Sequence, residues 1–229
     1  MIQSAGLTTR VAMAPFTAVT NDGKEKNFGY GTIMVQRGEN LLTSAKITAT
    51  LRRVAAECGI TVHGVTSGLT TAGIDLGSGG FTVLSRPSVM LVIEDGTPVD
   101  DAGEIWHLLD VRYGMPVTLV TPSRMGSANL SKYNVIIIAG NPSMSPVVIE
   151  GLRNWSRSGG TIIGYRGGNR WLAANDFADI SYIEAAGTDP EKESIFSGRN
   201  AARAIQSVPG TIFRAEVDIT HPLCYGYTQ

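Results

Sequence analysis

The chain has little cysteine and little histidine, and this scarcity excludes several kinds of site. Among 229 residues there are 2 cysteines and 3 histidines. Cys58 and Cys224 lie far apart and follow no metal or redox spacing, so the sequence indicates neither a disulfide framework nor a zinc site. We therefore expect no metal and no cofactor, and we interpret Cys58 as a small buried apolar residue of a helix.

The chain also lacks a surplus of either charge and lacks long apolar runs. Lys and Arg number 19 against 20 Asp and Glu, which gives a net charge of -1. Such a balance produces no overall field that would attract nucleic acid or an anionic membrane. No apolar run reaches the about 18 residues that cross a bilayer, and no signal peptide is recognised. We expect a soluble chain as given, with no nucleic-acid or membrane partner, and the oligomeric state is left open.

What the composition does provide is enough apolar material for a folded core. Hydrophobic residues make up 43% of the chain and charged residues 17%, which is typical of a compact globular protein. The chain begins as if inside the end of a helix and stops just after an apolar run, from Pro222 to Tyr227. We therefore expect a piece of a longer protein, with the second domain truncated at its C-terminus.

Residues 1–85 predict a small α/β subdomain. A helix is expected from about Thr43 to Cys58, because its apolar residues fall on one face and Gly59 provides a C-terminal stop. The stretch from Gly64 to Gly80 is dense in Gly, Ser and Thr, which indicates a linker and the boundary of the subdomain. Runs rich in β-branched and aromatic residues predict three strands, at 10–18, 30–36 and 60–65.

Residues 86–229 predict a second domain in which strands and helices alternate. Such alternation indicates a parallel sheet with helices on both faces, in a flavodoxin-like, doubly wound order. One helix is expected to be capped by Asp100 or Asp101 and to turn Trp106 inward, and another to begin at Ser145 and Pro146. The four predicted strands are 89–94, 116–120, 135–140 and 161–165.

The end of the fourth predicted strand has the pattern of a nucleophile elbow with an unusual residue at its centre. The sequence Gly164-Tyr165-Arg166-Gly167-Gly168 leads from a strand into a helix, and its glycines permit the strained turn that such an elbow needs. Arg166 stands where a nucleophile would be. A guanidinium stays protonated and only donates hydrogen bonds, so we expect no nucleophilic catalysis there.

The predicted topology places a crevice at the carboxyl ends of the first and third strands of this sheet. Two interpretations of Arg166 follow. We favour a structural role, in which Arg166 pairs with Glu94 or Asp95 and fills the site. In the alternative, its guanidinium and the nearby backbone N–H groups bind a carboxylate or phosphate. The residues expected in the crevice are Glu94, Asp95, Gly140, Asn141, Arg166 and Gly167.

The segment from Arg86 to about Leu172 resembles a class I glutamine amidotransferase-like domain. The resemblance rests on the apolar strand that ends at Ala139-Gly140, the helix after it and the elbow. In active members the elbow residue is a cysteine that works with a later histidine and glutamate, and Arg166 holds the cysteine position. His221-Pro222-Leu223 is similar to the family's His-Pro-Glu, but Leu223 stands at the glutamate position, and we favour a simple turn there.

More specifically, the chain resembles the C-terminal region of large bacterial zinc carboxypeptidase-like proteins of the carboxypeptidase A type. The resemblance rests on four motifs, which are Phe28-Gly29-Tyr30-Gly31-Thr32, Gly73-Ile74-Asp75-Leu76-Gly77-Ser78, Trp106-His107-Leu108-Leu109-Asp110 and His221-Pro222-Leu223-Cys224-Tyr225-Gly226-Tyr227. It implies a metallopeptidase domain as the partner within the parent protein, and it is compatible with a secreted or periplasmic parent. The chain itself contains no His-x-x-Glu zinc motif.

The sequence thus predicts a non-catalytic, glutamine amidotransferase-like accessory or interaction domain of a zinc carboxypeptidase-like protein. One alternative is a small-ligand module that binds a carboxylate or another anion in the crevice. A second alternative is a hydrolase or amidotransferase-like enzyme with an unorthodox nucleophile.

Overall fold

The structure, a computed structural model, describes residues 1–182, 195–198, 200 and 212–227. The chain forms two compact units, one of Met1–Arg86 with Val208–Gln229 and one of Pro87–Ser207. The predicted boundary after residue 85 lies beside the observed one. The predicted second domain ran to residue 229, whereas the segment that starts at Val208 belongs to the first unit.

The first unit contains two small antiparallel sheets. Their strand orders are β4-β1-β6 and β3-β2-β5, and Thr20 forms an isolated antiparallel bridge with Val65. Every strand pairing found in the described part of this unit is antiparallel. The strands are short: β1 Arg10–Ala12, β2 Phe16–Val19, β3 Glu25–Phe28, β4 Ile33–Met34, β5 Ala72–Gly73 and β6 Phe81–Val83.

Aromatic packing forms the core of the first unit. Phe16 is buried, stacks on Phe28 with ring centroids 4.9 Å apart, and meets Phe81 edge to face at 5.3 Å. These rings pack with Ala12 of β1 and Ala18 of β2. Such aromatic pairs add stability beyond the area that they bury.

Helix α1, Ser44–Cys58, confirms the predicted helix and its stop signal. The hydroxyl of Thr43 accepts a hydrogen bond from the Lys46 N–H at 3.4 Å, and Gly59 ends the helix with a φ of 65°. Ile47 and Val54 are buried. The prediction for Cys58 is wrong, because its side chain is exposed at the end of the helix.

Three other predictions for the first unit need correction. The strand predicted over 10–18 is interrupted before Phe16, where Pro15 cannot donate to a ladder. The strand predicted over 30–36 is only Ile33–Met34, and the stretch 60–65 forms no strand beyond the single bridge of Val65. Strand β5 lies within the stretch that was predicted to be a linker.

The second unit contains a four-stranded parallel sheet in the order β8-β7-β9-β10. Continuous apolar runs build its two central strands, β7 and β9, which are buried on both faces as expected for a parallel sheet. The four strands are β7 Val89–Val92, β8 Val117–Val120, β9 Val135–Ile138 and β10 Thr161–Gly164. Each lies within the stretch predicted for it.

Helices flank both faces of this sheet, which confirms the α/β class. Alternate residues of β7 and β9 enter two separate clusters, one with α3, α4 and α5 and the other with α2. Leu152 of α4 and Trp171 of α5 are buried in the first cluster. The helices are α2 Val99–Trp106, which continues as a π-helix over His107–Arg112, α3 Pro122–Met125, α4 Pro146–Arg157 and α5 Gly167–Ala174.

The helix ends of the second unit confirm one predicted cap and correct another. The Ser145 hydroxyl accepts a hydrogen bond from the Val148 N–H at 3.4 Å, as predicted. Helix α2 instead begins after Pro98 without a side-chain cap, and Asp101 lies in its first turn. Trp106 was predicted to turn inward but is 40% exposed. Every helix in the described part of the chain is too short or too polar to span a membrane.

Candidate functional site

The elbow after β10 adopts a strained backbone conformation at Arg166. Its φ and ψ are 47° and -109°, a region that non-glycine residues rarely adopt. Such a residue costs about 1–3 kcal/mol and persists only where the surroundings hold it in place. The structure therefore has, at the predicted position, the strained strand-to-helix turn that the sequence pattern predicted.

Two glycines of the elbow lie in tight surroundings, Gly168 against the end of β9 and Gly164 against α5. A Cβ atom on Gly168 would lie 1.8 Å from the carbonyl oxygen of Ile138, and one on Gly164 would lie 2.6 Å from the Asn169 side chain. Real Cβ atoms essentially never come closer than 3.0 Å to another heavy atom. Close approach of the backbone therefore requires a glycine at position 168, whereas position 164 is crowded mainly by side chains of α5.

The Arg166 side chain forms an ion pair with Asp101 of α2. Nη1 of Arg166 donates to Oδ1 of Asp101 at 2.5 Å. The Asp101 side chain is only 4% exposed, whereas that of Arg166 is 67% exposed. The hydrogen bond to Asp101 raises the pKa of the guanidinium above its ordinary value. Arg166 thereby neutralises a carboxylate that would otherwise be buried alone, which is costly.

This partner corrects the sequence prediction, which named Glu94 or Asp95. Both residues are exposed and follow β7 with positive φ values of 62° and 42°. The predicted class of interaction is right, because an internal carboxylate does pair with Arg166. The predicted residue is wrong, since α2 brings Asp101 to the elbow from 65 positions earlier in the chain.

The other predicted crevice residues do come together, but through their backbones. The Asn141 N–H donates to the Gly96 carbonyl at 2.9 Å, and the Ser143 N–H donates to the Asp95 carbonyl at 3.3 Å. A Cβ atom on Gly140 would lie 2.2 Å from the Gly96 oxygen. The loops after β7 and β9 therefore touch where the crevice was predicted.

Gly167 and Thr97 complete this contact region. A Cβ atom on Gly167 would lie 3.4 Å from the Gly140 Cα atom, so the start of α5 packs on the same loop. Thr97 is buried next to Gly140, and its hydroxyl has no hydrogen-bond partner within the described residues. Nothing in the sequence distinguishes this threonine from a surface one, so sequence reasoning missed it.

A cavity of about 640 Å³ opens at the same edge of the sheet, beside the loop that carries Asp95. Its lining residues follow β7, β8 and β9: Asp95, Pro122, Ser123, Gly126, Ser143, Ser145 and Val148. Asp95 is the one charged residue of this lining, and Arg166 does not belong to it. A site with one carboxylate and several hydroxyl groups suits a neutral or cationic ligand better than an anion.

Neither a metal centre nor a thiol nucleophile is assembled at the elbow. Among the residues that the structure describes, no three His, Cys, Asp or Glu side chains are placed to hold a metal ion. His221 lies in the first unit, where its Nδ1 atom accepts a hydrogen bond from the Leu223 N–H at 3.2 Å. The elbow can therefore pair charges and donate hydrogen bonds, but Arg166 offers no nucleophile.

Comparisons with known proteins found no relative of this chain. No protein-family model, no curated protein and no solved structure matches this chain.

Proposed function

We propose that this chain is a non-catalytic, glutamine amidotransferase-like accessory or interaction domain of a zinc carboxypeptidase-like protein. Its partner is then the metallopeptidase domain of that parent protein. The observation that carries the proposal is the elbow at Arg166, which keeps the strained turn of a nucleophile elbow while its side chain neutralises the buried Asp101. A site whose central residue is committed to an internal ion pair has a structural role.

The strand order supports a flavodoxin-like arrangement of the second unit. Across the sheet the strands lie in the order β8, β7, β9 and β10, which are the second, first, third and fourth strands of this unit along the chain. A flavodoxin-like sheet has the same order in its first four strands. The elbow follows the fourth of these strands. This order is consistent with the resemblance to the amidotransferase-like family.

Two of the motifs on which the resemblance to zinc carboxypeptidase-like proteins rests meet in the first unit. The rings of Tyr30 and Tyr225 lie 5.9 Å apart, and a Cβ atom on Gly31 would lie 2.6 Å from the Cβ atom of Tyr225. Residues of the Phe28–Thr32 and His221–Tyr227 motifs therefore pack on each other. This packing gives both motifs a structural role in the first unit.

Activity measurements on the purified chain test the proposal. We expect neither ammonia release from glutamine nor removal of a C-terminal residue from peptides, because the elbow has no thiol and the described residues contain no cluster of side chains placed to bind zinc. The control is Arg166→Ala, which removes the side chain in question. Turnover above the buffer blank that disappears in this variant would contradict the proposal.

A second variant, Arg166→Cys, tests the missing catalytic partners. We expect a thiol of ordinary reactivity, because an activated thiol needs a histidine base beside it. The one histidine in the described part of the second unit is His107, which lies in the π-helix after α2 and not at the elbow. Labelling by a glutamine-like electrophile should be slow and equal to that of the exposed Cys58. Rapid stoichiometric labelling at residue 166 would instead support an enzyme.

The cavity beside Asp95 favours a second candidate function, a small-ligand binding module. Its position at the carboxyl ends of three parallel strands is where open α/β sheets bind ligands. Because the Asp95 carboxylate is its one charged lining group, an anionic ligand is disfavoured. Titration with a panel of amines and polyols against Asp95→Asn, monitored by calorimetry, distinguishes this candidate from a purely structural domain.

A further inference from the structure

A second cavity, of about 490 Å³, lies at the opposite, amino-terminal edge of the parallel sheet. It is bounded by the residues that lead into β9 and β10 and by the last turn of α4. Its volume falls within the range of about 300–1,000 Å³ that is typical of small-molecule sites. It is separate from the elbow, so an inference about it does not depend on the function proposed above.

The lining of this cavity carries no charged side chain. Two aromatic residues provide apolar surface, and serine and asparagine side chains provide hydroxyl and amide groups around them. Each amide both donates and accepts hydrogen bonds. The Ser131 hydroxyl already donates to Asn129 Oδ1 at 2.7 Å and the Ser158 hydroxyl to the Asn154 carbonyl at 2.9 Å, so both hydroxyls offer acceptor positions to a ligand. The lining residues are Ser131, Tyr133, Asn134, Asn154, Trp155, Ser158, Gly159 and Gly160.

Several contacts hold this lining in place. The indole N–H of Trp155 donates to the Leu130 carbonyl at 3.0 Å. Gly160 lies directly against the six-membered ring of the same indole, since a Cβ atom there would be 2.5 Å from three ring atoms. The Asn134 side chain accepts a hydrogen bond from the Ser88 N–H at 2.8 Å. A lining fixed in this way loses little conformational entropy when a ligand binds.

We propose that this cavity binds a neutral carbohydrate. The apolar C–H surface of a sugar ring packs against the Trp155 and Tyr133 rings, while its hydroxyl groups donate to the two serine hydroxyls and exchange hydrogen bonds with the Asn154 amide. Sugar hydroxyls are donors and acceptors at once, which matches amide and hydroxyl partners. An anionic sugar is disfavoured, because the lining contains no Lys or Arg to pair with it.

The test uses the whole chain and three neutral probes: maltotriose, cellotriose and chitotriose. We expect saturable binding of at least one of them by calorimetry, and no saturable binding of glucuronic acid. Asn154→Ala should weaken binding at least about threefold, since hydrogen bonds of the amide are lost. Asn154→Arg should weaken it at least about tenfold, since the longer charged side chain occupies the cavity. Asn154 is exposed on α4, so both variants are expected to fold.

The matched control is Val147→Arg, on the same helix two turns before Asn154. Val147 is 81% exposed and does not line the cavity, so this variant should bind the probe as the unchanged chain does. Absence of saturable binding for all three neutral probes would overturn the proposal. So would binding that Asn154→Arg leaves unchanged, because the sugar would then occupy another site.

Discussion

Replacing Gly168 by alanine tests the elbow geometry most directly. The new methyl group would lie 1.8 Å from the Ile138 carbonyl oxygen and 2.8 Å from its carbonyl carbon. Both atoms belong to the backbone at the end of β9, so no side-chain rotation can relieve the clash. The first turn of α5 or the end of β9 has to move by more than 1 Å before the distance from the new methyl group to the Ile138 oxygen reaches 3.0 Å, the shortest distance found for real Cβ atoms.

The expected loss of stability is about 1–4 kcal/mol. Overpacking of this kind typically costs about 1–3 kcal/mol. The Ile138 carbonyl also accepts a hydrogen bond from the Tyr165 N–H at 2.9 Å, and disturbing it costs about 1 kcal/mol more. The higher helix propensity of alanine returns up to about 1 kcal/mol at this position, because Gly168 lies within α5.

Gly151→Ala is the matched control for this substitution. Gly151 lies in α4, and a Cβ atom there meets nothing within 4 Å. The same chemical change should therefore stabilise the protein by about 0.5–1 kcal/mol. Urea unfolding followed by tryptophan fluorescence measures both effects, since Trp171 is buried in the core that α5 covers.

The sign of the change in unfolding free energy of Gly168→Ala decides whether the reasoning holds. If Gly168→Ala is as stable as the unchanged chain, or more stable, α5 does not begin against the end of β9. The close approach inferred for the elbow would then be wrong. A loss of similar size in Gly151→Ala would show that the effect is not specific to the elbow.

The remaining predictions concern two ion pairs. Arg166→Met should lower the free energy of unfolding more than Asp101→Asn, because only the first leaves a buried carboxylate without its partner. The reverse order in urea unfolding would contradict the pairing. Hydrogen bonds from Arg10 lower the pKa of Glu39, so the pair stabilises the fold above the ordinary carboxyl pKa and is lost as the pH falls through the lowered value. Glu39→Gln should therefore be less stable at neutral pH and equal to the unchanged chain at strongly acidic pH.

The parts of the fold that the sequence predicted well are those set by local patterns. The two central strands of the parallel sheet, β7 and β9, are continuous apolar runs, and burial on both faces selects such runs whatever their neighbours are. Thr43, Ser145 and Gly59 mark helix ends because capping involves atoms only a few residues apart. The antiparallel strands of the first unit were predicted poorly, because several of them are largely exposed and their pairing depends on partners far away in the sequence.

At the elbow, too, some features follow from local sequence and others depend on distant parts of the chain. The sequence by itself determined the strained turn, since a strand followed by Gly-x-Arg-Gly-Gly and a helix leaves Arg166 at its centre. It also determined that this residue is a permanent cation and no nucleophile. Only the tertiary structure decided which carboxylate neutralises Arg166. Glu94 and Asp95 follow β7 in an exposed loop, whereas Asp101 lies in the first turn of α2, where its side chain is buried beside the elbow. A buried charge needs a partner at hydrogen-bond distance, and that distance is fixed by helix packing and not by position along the chain.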